Sequence, residues 1–433
     1  MDNKVYSAGF ARLDITPPLG VEIGGSWNKR RGVGVWDPLY VNAVAFSDGE
    51  KKAVALSLDL LGLYGAFASG IPQRVADTLN IPKESVFVSC THSHTSPALG
   101  TDEMYDAWFL RRVCDAATIA MNDCKPVTDV QWAEGEAEGL AFVRRFYMKD
   151  GMVLTNPPVQ SPDLVKPACE NDQSMRLVRI IREDAPEIAI VNFQSHPDNT
   201  GGELYSADYP GALRNQVEAG RENTLCIFFD GAEGQMVRTD RFAPRVPASH
   251  EAAFEYGRKI GNVALSLFDK TVSTNARGLC FGQQVTMLKT KRDPSRVPEC
   301  ERIVALRDAG RNEEIHPSIK FANYISSEAR RIVGLEKAQL DYIAAAVSAI
   351  TFCGLALVGI PGEPFNELGK SIRANSKYAV TCVCCQTNGS LGYFPDSKGF
   401  DQGGYESYNT SVIKGTGEQL AETGTQLLAS FCE

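Results

Sequence analysis

Three of the five histidines in this 433-residue chain fall where apolar, strand-like runs end. His92 and His94, in Thr91-His92-Ser93-His94, follow Ser85–Cys90 (SVFVSC); His196, in Ser195-His196-Pro197-Asp198-Asn199, follows 188–194 (IAIVNFQ). Neutral imidazole is a common zinc ligand, and His-x-His on an extended segment lets both rings approach one site. A carboxylate completes such a set. Glu363 offers one, in Pro361-Gly362-Glu363-Pro364 after the run ALVGI, where the flanking prolines make a rigid turn. A lone loop histidine is ordinarily a hydrogen-bonded structural residue, and a Glu at a strand-ending turn is often just exposed. Three histidines at strand ends move the reading towards a metal held by His92, His94, His196 and Glu363, with one position left for water. His250 and His316 stand in polar contexts and read as surface residues.

Two further polar clusters share this placement. Asp230-Gly231-Ala232-Glu233-Gly234 follows TLCIFF, and Thr387-Asn388-Gly389-Ser390-Leu391-Gly392-Tyr393 follows VTCVCCQ. The first lacks the Lys-Ser/Thr of a phosphate loop and reads as a junction that approaches a ligand by its backbone. In open α/β sheets, ligands bind beyond the carboxyl ends of the strands, so all five clusters can share one crevice.

The elements that must position them alternate along the chain. Strands are predicted over 52–60, 85–90, 129–136, 175–181, 188–194, 224–229, 279–288, 349–360 and 378–385. Helices are predicted over 68–79, 104–122, 209–219, 249–268, 299–309, 326–346, 365–374 and 410–429. This alternation predicts an α/β fold, one large mixed β-sheet flanked by helices, in a single catalytic domain over 1–433. A mainly helical excursion is expected around 286–347, and the stretch Lys289-Thr290-Lys291-Arg292-Asp293 reads as a solvated turn.

Composition removes several function classes. With Lys+Arg 44 against Asp+Glu 53 and a net charge of −9, neither nucleic acid nor an anionic membrane is favoured as a partner. No apolar run approaches the roughly 18 residues of a membrane span. The first residues lack a basic segment followed by an apolar one, which predicts a cytoplasmic protein. The twelve cysteines are scattered, most of them in strand-like runs, as reduced buried thiols would be. The alternation around Cys382, Cys384 and Cys385 reads as a buried strand rather than a metal site. A small-molecule substrate is the expected partner; the oligomeric state is left open.

A longer series of motifs runs in order along the chain: Ala8-Gly9, Asp14-Ile15-Thr16-Pro17-Pro18, Gly24-Gly25, Asp59, and Cys90 through Pro97. It continues with Arg144-Arg145 before Asp150-Gly151, Ser195-His196-Pro197, Gly359 through Glu363, and Gly392-Tyr393 through Gly404-Tyr405-Glu406. This series resembles the catalytic domain of the neutral/alkaline non-lysosomal ceramidase family. The resemblance implies one zinc ion (Zn2+) held by His92, His196, Glu363 and Tyr393. It moves His94 beside the metal, to activate water or bind the reacting carbonyl. It also gives Arg144 (or Arg145, since Val143 replaces an expected Asn) and Tyr405 substrate-side roles that stabilise an oxyanion. The chain departs from the family at Gly234-Gln235-Met236-Val237-Arg238, where members commonly read Gly-Asp-x-Asn/Ser-Pro. Gln235 stands for the Asp, and Val237 for the Ser of true ceramidases. With about 28 residues after Tyr405, the immunoglobulin-like domain of long ceramidases is not expected. The expectation is a zinc-dependent hydrolase of an amide (C–N) or ester bond in a small polar substrate, rather than a sphingolipid amidase. A metal-dependent lyase or glycoside-processing enzyme, and an inactive ceramidase-like binding protein, are the competing readings, the last motivated by Val237 and Gln235.

Overall fold

The structure, a computed structural model, describes residues 4–25 and 29–431. Eight strands build the main sheet: β1 (Ser7–Asp14), β2 (Tyr40–Ser47), β3 (Lys52–Leu58), β4 (Val86–Cys90), β5 (Lys125–Glu136), β6 (Ser174–Arg182), β7 (Glu187–Phe193) and β8 (Thr224–Asp230). Their order is β8-β7-β6-β5-β1-β2-β3-β4, and a short ninth strand, Val272–Ser273, pairs with β5. The pairs β7/β8 and β3/β4 are parallel and occupy opposite edges, while the inner ladders are antiparallel. The sheet curls until these edges meet: Ser57 Oγ on β3 donates to the Phe228 carbonyl on β8 at 2.6 Å. The right-handed twist of successive strands accumulates in this way across a wide sheet.

Helices α1 (Ala66–Leu79) and α2 (Glu103–Asn122) cover one part of the sheet's outer face. Ile71, Val75, Phe109 and Val113 are buried there against Val41, Leu56 and Val88. Further along, α3 (Asp208–Gly220) and α4 (His250–Leu267) bury Leu213, Val217 and Ile260 against Leu177, Val191 and Phe228. Local signals start these helices. Asp102 accepts a hydrogen bond from the Tyr105 amide and Ser249 from the Ala252 amide, each satisfying an orphan donor of the first turn.

A second sheet, β9 (Leu279–Lys289), β10 (Tyr342–Phe352), β11 (Leu355–Gly359) and β12 (Val380–Cys384), packs face to face on the first. Phe46, Phe87, Ile190 and Phe229 from one side share a core with Phe352, Leu357, Cys382 and Cys384 from the other. Each of the Phe, Ile and Leu side chains stabilises by about 1.5–3 kcal/mol on burial. Between β9 and β10 lie α5 (Val297–Asp308) and α6 (Ile319–Lys337). Helices α7 (Asn366–Ala374) and α8 (Thr416–Ser430) close the outer face of the second sheet. The mixed sheet flanked by helices in one domain is as expected; the division of the strands between two stacked sheets was not foreseen. Among the described residues, no helix is long and apolar enough to cross a membrane.

Three local expectations are corrected. The helix predicted over 326–346 begins earlier and stops at Lys337, and Tyr342 starts a strand. Ala344-Ala345-Ala346 favours a helix by propensity, but β10 pairs with β9 along its whole length, and this tertiary ladder overrides propensity. The strand predicted over 349–360 is a hairpin. Its two-residue loop, Cys353-Gly354, has both φ angles positive (45° and 87°), which suits the twist of the flanking strands. The stretch 289–293 is tied down rather than solvated: Lys291 pairs with Glu328 at 3.0 Å, and Arg292 with Glu336 at 2.8 Å and Asp341 at 2.7 Å.

Candidate metal centre and catalytic cleft

All five polar clusters converge where the edges of the main sheet meet the end of the second sheet. The segment after β12 stitches the seam: the Cys90 amide donates to the Gln386 carbonyl (3.2 Å), the Cys385 amide to the Asp230 carbonyl (3.0 Å), and the Asn388 amide to the Val88 carbonyl (2.8 Å). A buried bidentate pair fixes the β3 end to α3, with Arg214 Nη1 and Nη2 at 2.9 and 2.6 Å from the Asp59 oxygens.

His92 leaves β4 with φ +64°, a conformation few non-glycine residues adopt, and so turns its ring into the seam. Its Nδ1 lies 2.6 Å from the Leu61 carbonyl, which fixes the proton on Nδ1 and leaves Nε2 as an inward lone pair. His94 is held alike, Nδ1 on the Gly25 carbonyl at 2.9 Å. A side chain at Gly25 would reach within 2.7 Å of that ring, and the residue's φ is +77°. His196 has its Nδ1 on the carboxylate of Glu233, whose side chain is wholly buried. The loop after His196 is anchored by Asp208, which accepts from the Asn199 and Thr200 amides at 2.9 and 3.0 Å.

Three imidazoles thus present Nε2 to a common point. The Nε2 atoms of His92 and His94 are 3.3 Å apart. Glu363 Oε2 lies 3.6 Å from His92 Nε2 and 3.8 Å from His196 Nε2, and has no hydrogen-bond partner. A tetrahedral zinc with bonds of about 2.0–2.1 Å separates its donor atoms by about 3.3 Å. The donor types, the spacing and the orphaned carboxylate oxygen all fit such an ion.

The electrostatics favour the ligand forms of the histidines. Burial depresses His92 to about 4, and burial with the neighbouring imidazoles depresses His94 to about 3. Burial, then the charge of Arg144, also lowers His196. At neutral pH all three rings are uncharged. Burial and the Glu233 carboxylate push Glu363 up to about 6, against the opposing influence of His196, Tyr393 and Arg144.

Tyr393 is placed beside Glu363 by a two-residue parallel bridge, with the Glu363 amide on the Gly392 carbonyl at 2.9 Å. Its hydroxyl lies close enough to Glu363 and Arg144 to favour the charged form of each. Burial and the Glu363 charge raise its pKa well above the usual phenol value, so the phenol keeps its proton. Arg144 sits behind it, the guanidinium 5.3 Å from the ring centroid, with Nε on Glu406 (2.6 Å) and Nη2 on the Gly234 carbonyl (2.8 Å). Arg145 points elsewhere, to Gln235 and the carbonyls of Gly399 and Gly403. Of the two arginines, only Arg144 touches the site, and Tyr393 stands between it and the cleft.

The cleft over this centre has a volume of about 560 Å³. His92, His94, Glu363, Tyr393 and Tyr405 line it, with Leu61, Leu335, Leu340, Ile343 and Leu391 as an apolar wall. Tyr405 accepts from Asn409 Nδ2 at 2.6 Å, leaving its own proton free to donate into the cleft.

Glu233 is the residue that sequence reasoning missed in this role. Its cluster was read for its backbone, and the signal available was a carboxylate three residues past a strand end. Gln235 faces away from the cleft, donating to Asn366 at 2.7 Å, while Val237 is buried. His250 and His316 are half-buried rather than on the surface: His250 stacks on Trp36 at 4.9 Å, and His316 accepts from the Ser318 amide. Cys382, Cys384 and Cys385 are buried free thiols.

No known family model and no curated protein sequence matches the chain. Among solved structures, the fold is similar to neutral ceramidase from Pseudomonas aeruginosa, with a TM-score of 0.70 at 14% identity, over 99% of this chain and 74% of that one. It is similar also to a ceramidase complexed with C2, with a TM-score of 0.70 at 13% identity, over 99% of this chain and 75% of that one. The chain therefore shares its fold with ceramidases.

Proposed function

We propose that the chain is a zinc-dependent hydrolase that cleaves an amide or ester bond of a small polar molecule. The observation that carries this reading is the convergence of the His92 and His196 Nε2 lone pairs and the orphaned Glu363 oxygen on the floor of an open cleft, with His94 Nε2 beside them. His92, His196 and Glu363 would hold the ion, with Tyr393 completing the set. A zinc ion there supplies Lewis acidity and lowers the pKa of water to about 7.

The chain's own groups supply the rest. His94 is the most exposed of the three histidines and lines the cleft. With Nδ1–H fixed on Gly25, its Nε2 can accept a hydrogen bond from the attacking water and orient it, and takes up the proton only as negative charge develops beside it in the reaction. The Tyr405 hydroxyl is aimed to donate to the carbonyl oxygen as negative charge develops, an effect worth about 3 kcal/mol. Arg144 acts through Tyr393, holding the phenol against Glu363. The free thiols of the described cysteines support a reducing, cytoplasmic location.

The test joins metal analysis to turnover. Purified protein is expected to carry about one zinc per chain, lost in His92→Ala and His196→Ala, and to release a free acid from N-acyl or ester substrates. Protein that is metal-free and cannot be reconstituted would overturn the reading, as would hydrolysis unchanged in Glu363→Gln.

A further inference from the structure

We propose that Arg331 is the specificity-determining residue of the cleft, receiving an oxyanion of the substrate, a carboxylate or a phosphate, while the bond to be cleaved lies over the metal centre. The proposal rests on the hydrolase reading and names the substrate class for that site.

Arg331 projects from α6 into the cleft that His92, His94 and Glu363 floor. Among the described residues its guanidinium has no ion pair, whereas its neighbour Arg330 is paired with Asp308 on the outside. Neutral acceptors hold it instead. Asn409 Oδ1 takes Nε and Nη2 at 2.9 and 2.8 Å, and Ser411 Oγ takes Nη1 at 3.1 Å. Three hydrogen bonds to two side chains thus fix the plane of the fork without neutralising its charge. A half-buried cation with no counter-ion is costly unless something supplies one. Burial opposes the charge here, and the groups that favour it, Tyr405, Glu363 and Tyr393, are those of the cleft itself.

Position and surroundings narrow the ligand. A methyl group added at Gly392, next to Tyr393, would lie 3.9 Å from Arg331 Nη2, so the guanidinium lies against the turn that carries Tyr393. Besides Glu363, Arg331 is the one formally charged side chain in the described cleft lining. Leu335, Leu340 and Ile343, near it in sequence or on the adjoining strand, offer apolar surface. The substrate that matches carries an oxyanion a short way from its scissile bond and a modest apolar group. A planar guanidinium pairs with carboxylate or phosphate by two parallel hydrogen bonds, which neutral amides cannot reproduce.

The experiment is calorimetric titration of zinc-loaded full-length protein, wild type and variants alike, with hippurate, its neutral analogue hippuramide, and phenyl phosphate. Hippurate or phenyl phosphate is expected to bind about tenfold or more tighter than hippuramide, the scale of one hydrogen bond to a charged group; which of the two is preferred identifies the oxyanion. Arg331→Met should abolish the preference and Arg331→Lys should retain part of it. If Arg331→Met lowers the melting temperature, Ser411→Glu keeps the arginine but gives it an internal partner, and should remove the preference too. Equal binding of all three probes, or a preference that survives in both folded variants, overturns the proposal. Turnover separates the two readings. In the zinc enzyme the variants should raise KM for anionic substrates about tenfold more than for neutral ones, whereas a merely structural arginine would shift both classes equally. Oxyanion binding without any hydrolysis refutes the hydrolase reading and leaves this one standing.

Discussion

The Glu233–His196 contact allows a severe test, because one atom changes and the packing does not. Glu233 is wholly buried, and its carboxylate is set on His196 Nδ1. It thereby keeps the imidazole proton on Nδ1 and the lone pair on Nε2, 3.8 Å from Glu363 Oε2. In Glu233→Gln the amide can meet Nδ1 by its oxygen, preserving the tautomer with a weaker acceptor. It can also meet Nδ1 by its NH2, which drives the proton to Nε2 and blocks the ligand position. Loss of such a partner typically lowers metal affinity by 10–100-fold, about 1.4–2.7 kcal/mol. Removing a true ligand should cost far more, so Glu363→Gln, measured beside it, sets the scale. The assay is competition for zinc against a chromophoric chelator at pH 7.5, with melting temperature as the check on folding. A folded Glu233→Gln with unchanged zinc affinity would refute the tautomer argument. A loss as deep as that of Glu363→Gln would make Glu233 a ligand.

Three further outcomes follow from the same geometry. Glu363 must be ionised to bind a cation and is pushed up to about 6, while His92 sits at about 4 and stays neutral. The zinc association constant should therefore fall about tenfold from pH 7 to pH 5 by proton competition at one site, and a flat profile would contradict it. In the empty protein the sign is opposite for stability: the raised Glu363 contributes most below its unfolded value near 4.5, and the contribution is lost as pH rises through about 6. His94→Ala should keep its zinc and lose about 10²–10⁴-fold in kcat; a variant that loses the metal instead would place His94 among the ligands. Arg214→Ala leaves the Asp59 carboxylate buried without its bidentate partner and should destabilise by about 3–5 kcal/mol in urea unfolding, whereas a loss under 1 kcal/mol would mean water compensates the carboxylate.

The parts of the fold that could be read from sequence are those with a local signature. Thr224–Asp230, Val86–Cys90 and α4 announced themselves by apolar runs and by their place in the alternation of strand-like and helical stretches. Strands β1 and β2, at the centre of the main sheet, escaped. Ser7–Asp14 and Tyr40–Ser47 carry Gly9, Arg12 and Asn42 in otherwise ordinary runs, and only their ladder partners make them strands. The site divides in the same way. His92, His94, His196 and Glu363 were legible because a strand end marks where ligands gather. Glu233 and Arg331 were not: one acts on a residue 37 positions away, and the other enters from a helix that nothing in the sequence connects to the cleft.

The location of the centre has a consequence for how the protein holds together. No single element carries the whole proposed ligand set; His92 comes from one edge of the curled sheet, His196 and its neighbour Glu233 from the other, and Glu363 from the second sheet. An unfolded chain cannot present these groups together, so a bound ion favours only the closed seam. The stabilisation follows RT ln(1 + [L]/Kd), about 4 kcal/mol at a thousandfold excess over Kd. Without the ion, the seam carries the orphaned Glu363 oxygen and abutting imidazole lone pairs, which repel rather than bond. If the proposed ion is held, the junction of β4, β7 and the segment after β12 should lose hydrogen-exchange protection first on chelation, ahead of the core between the two sheets, where Phe46, Phe87, Phe229 and Phe352 are packed together; uniform loss of protection would contradict it.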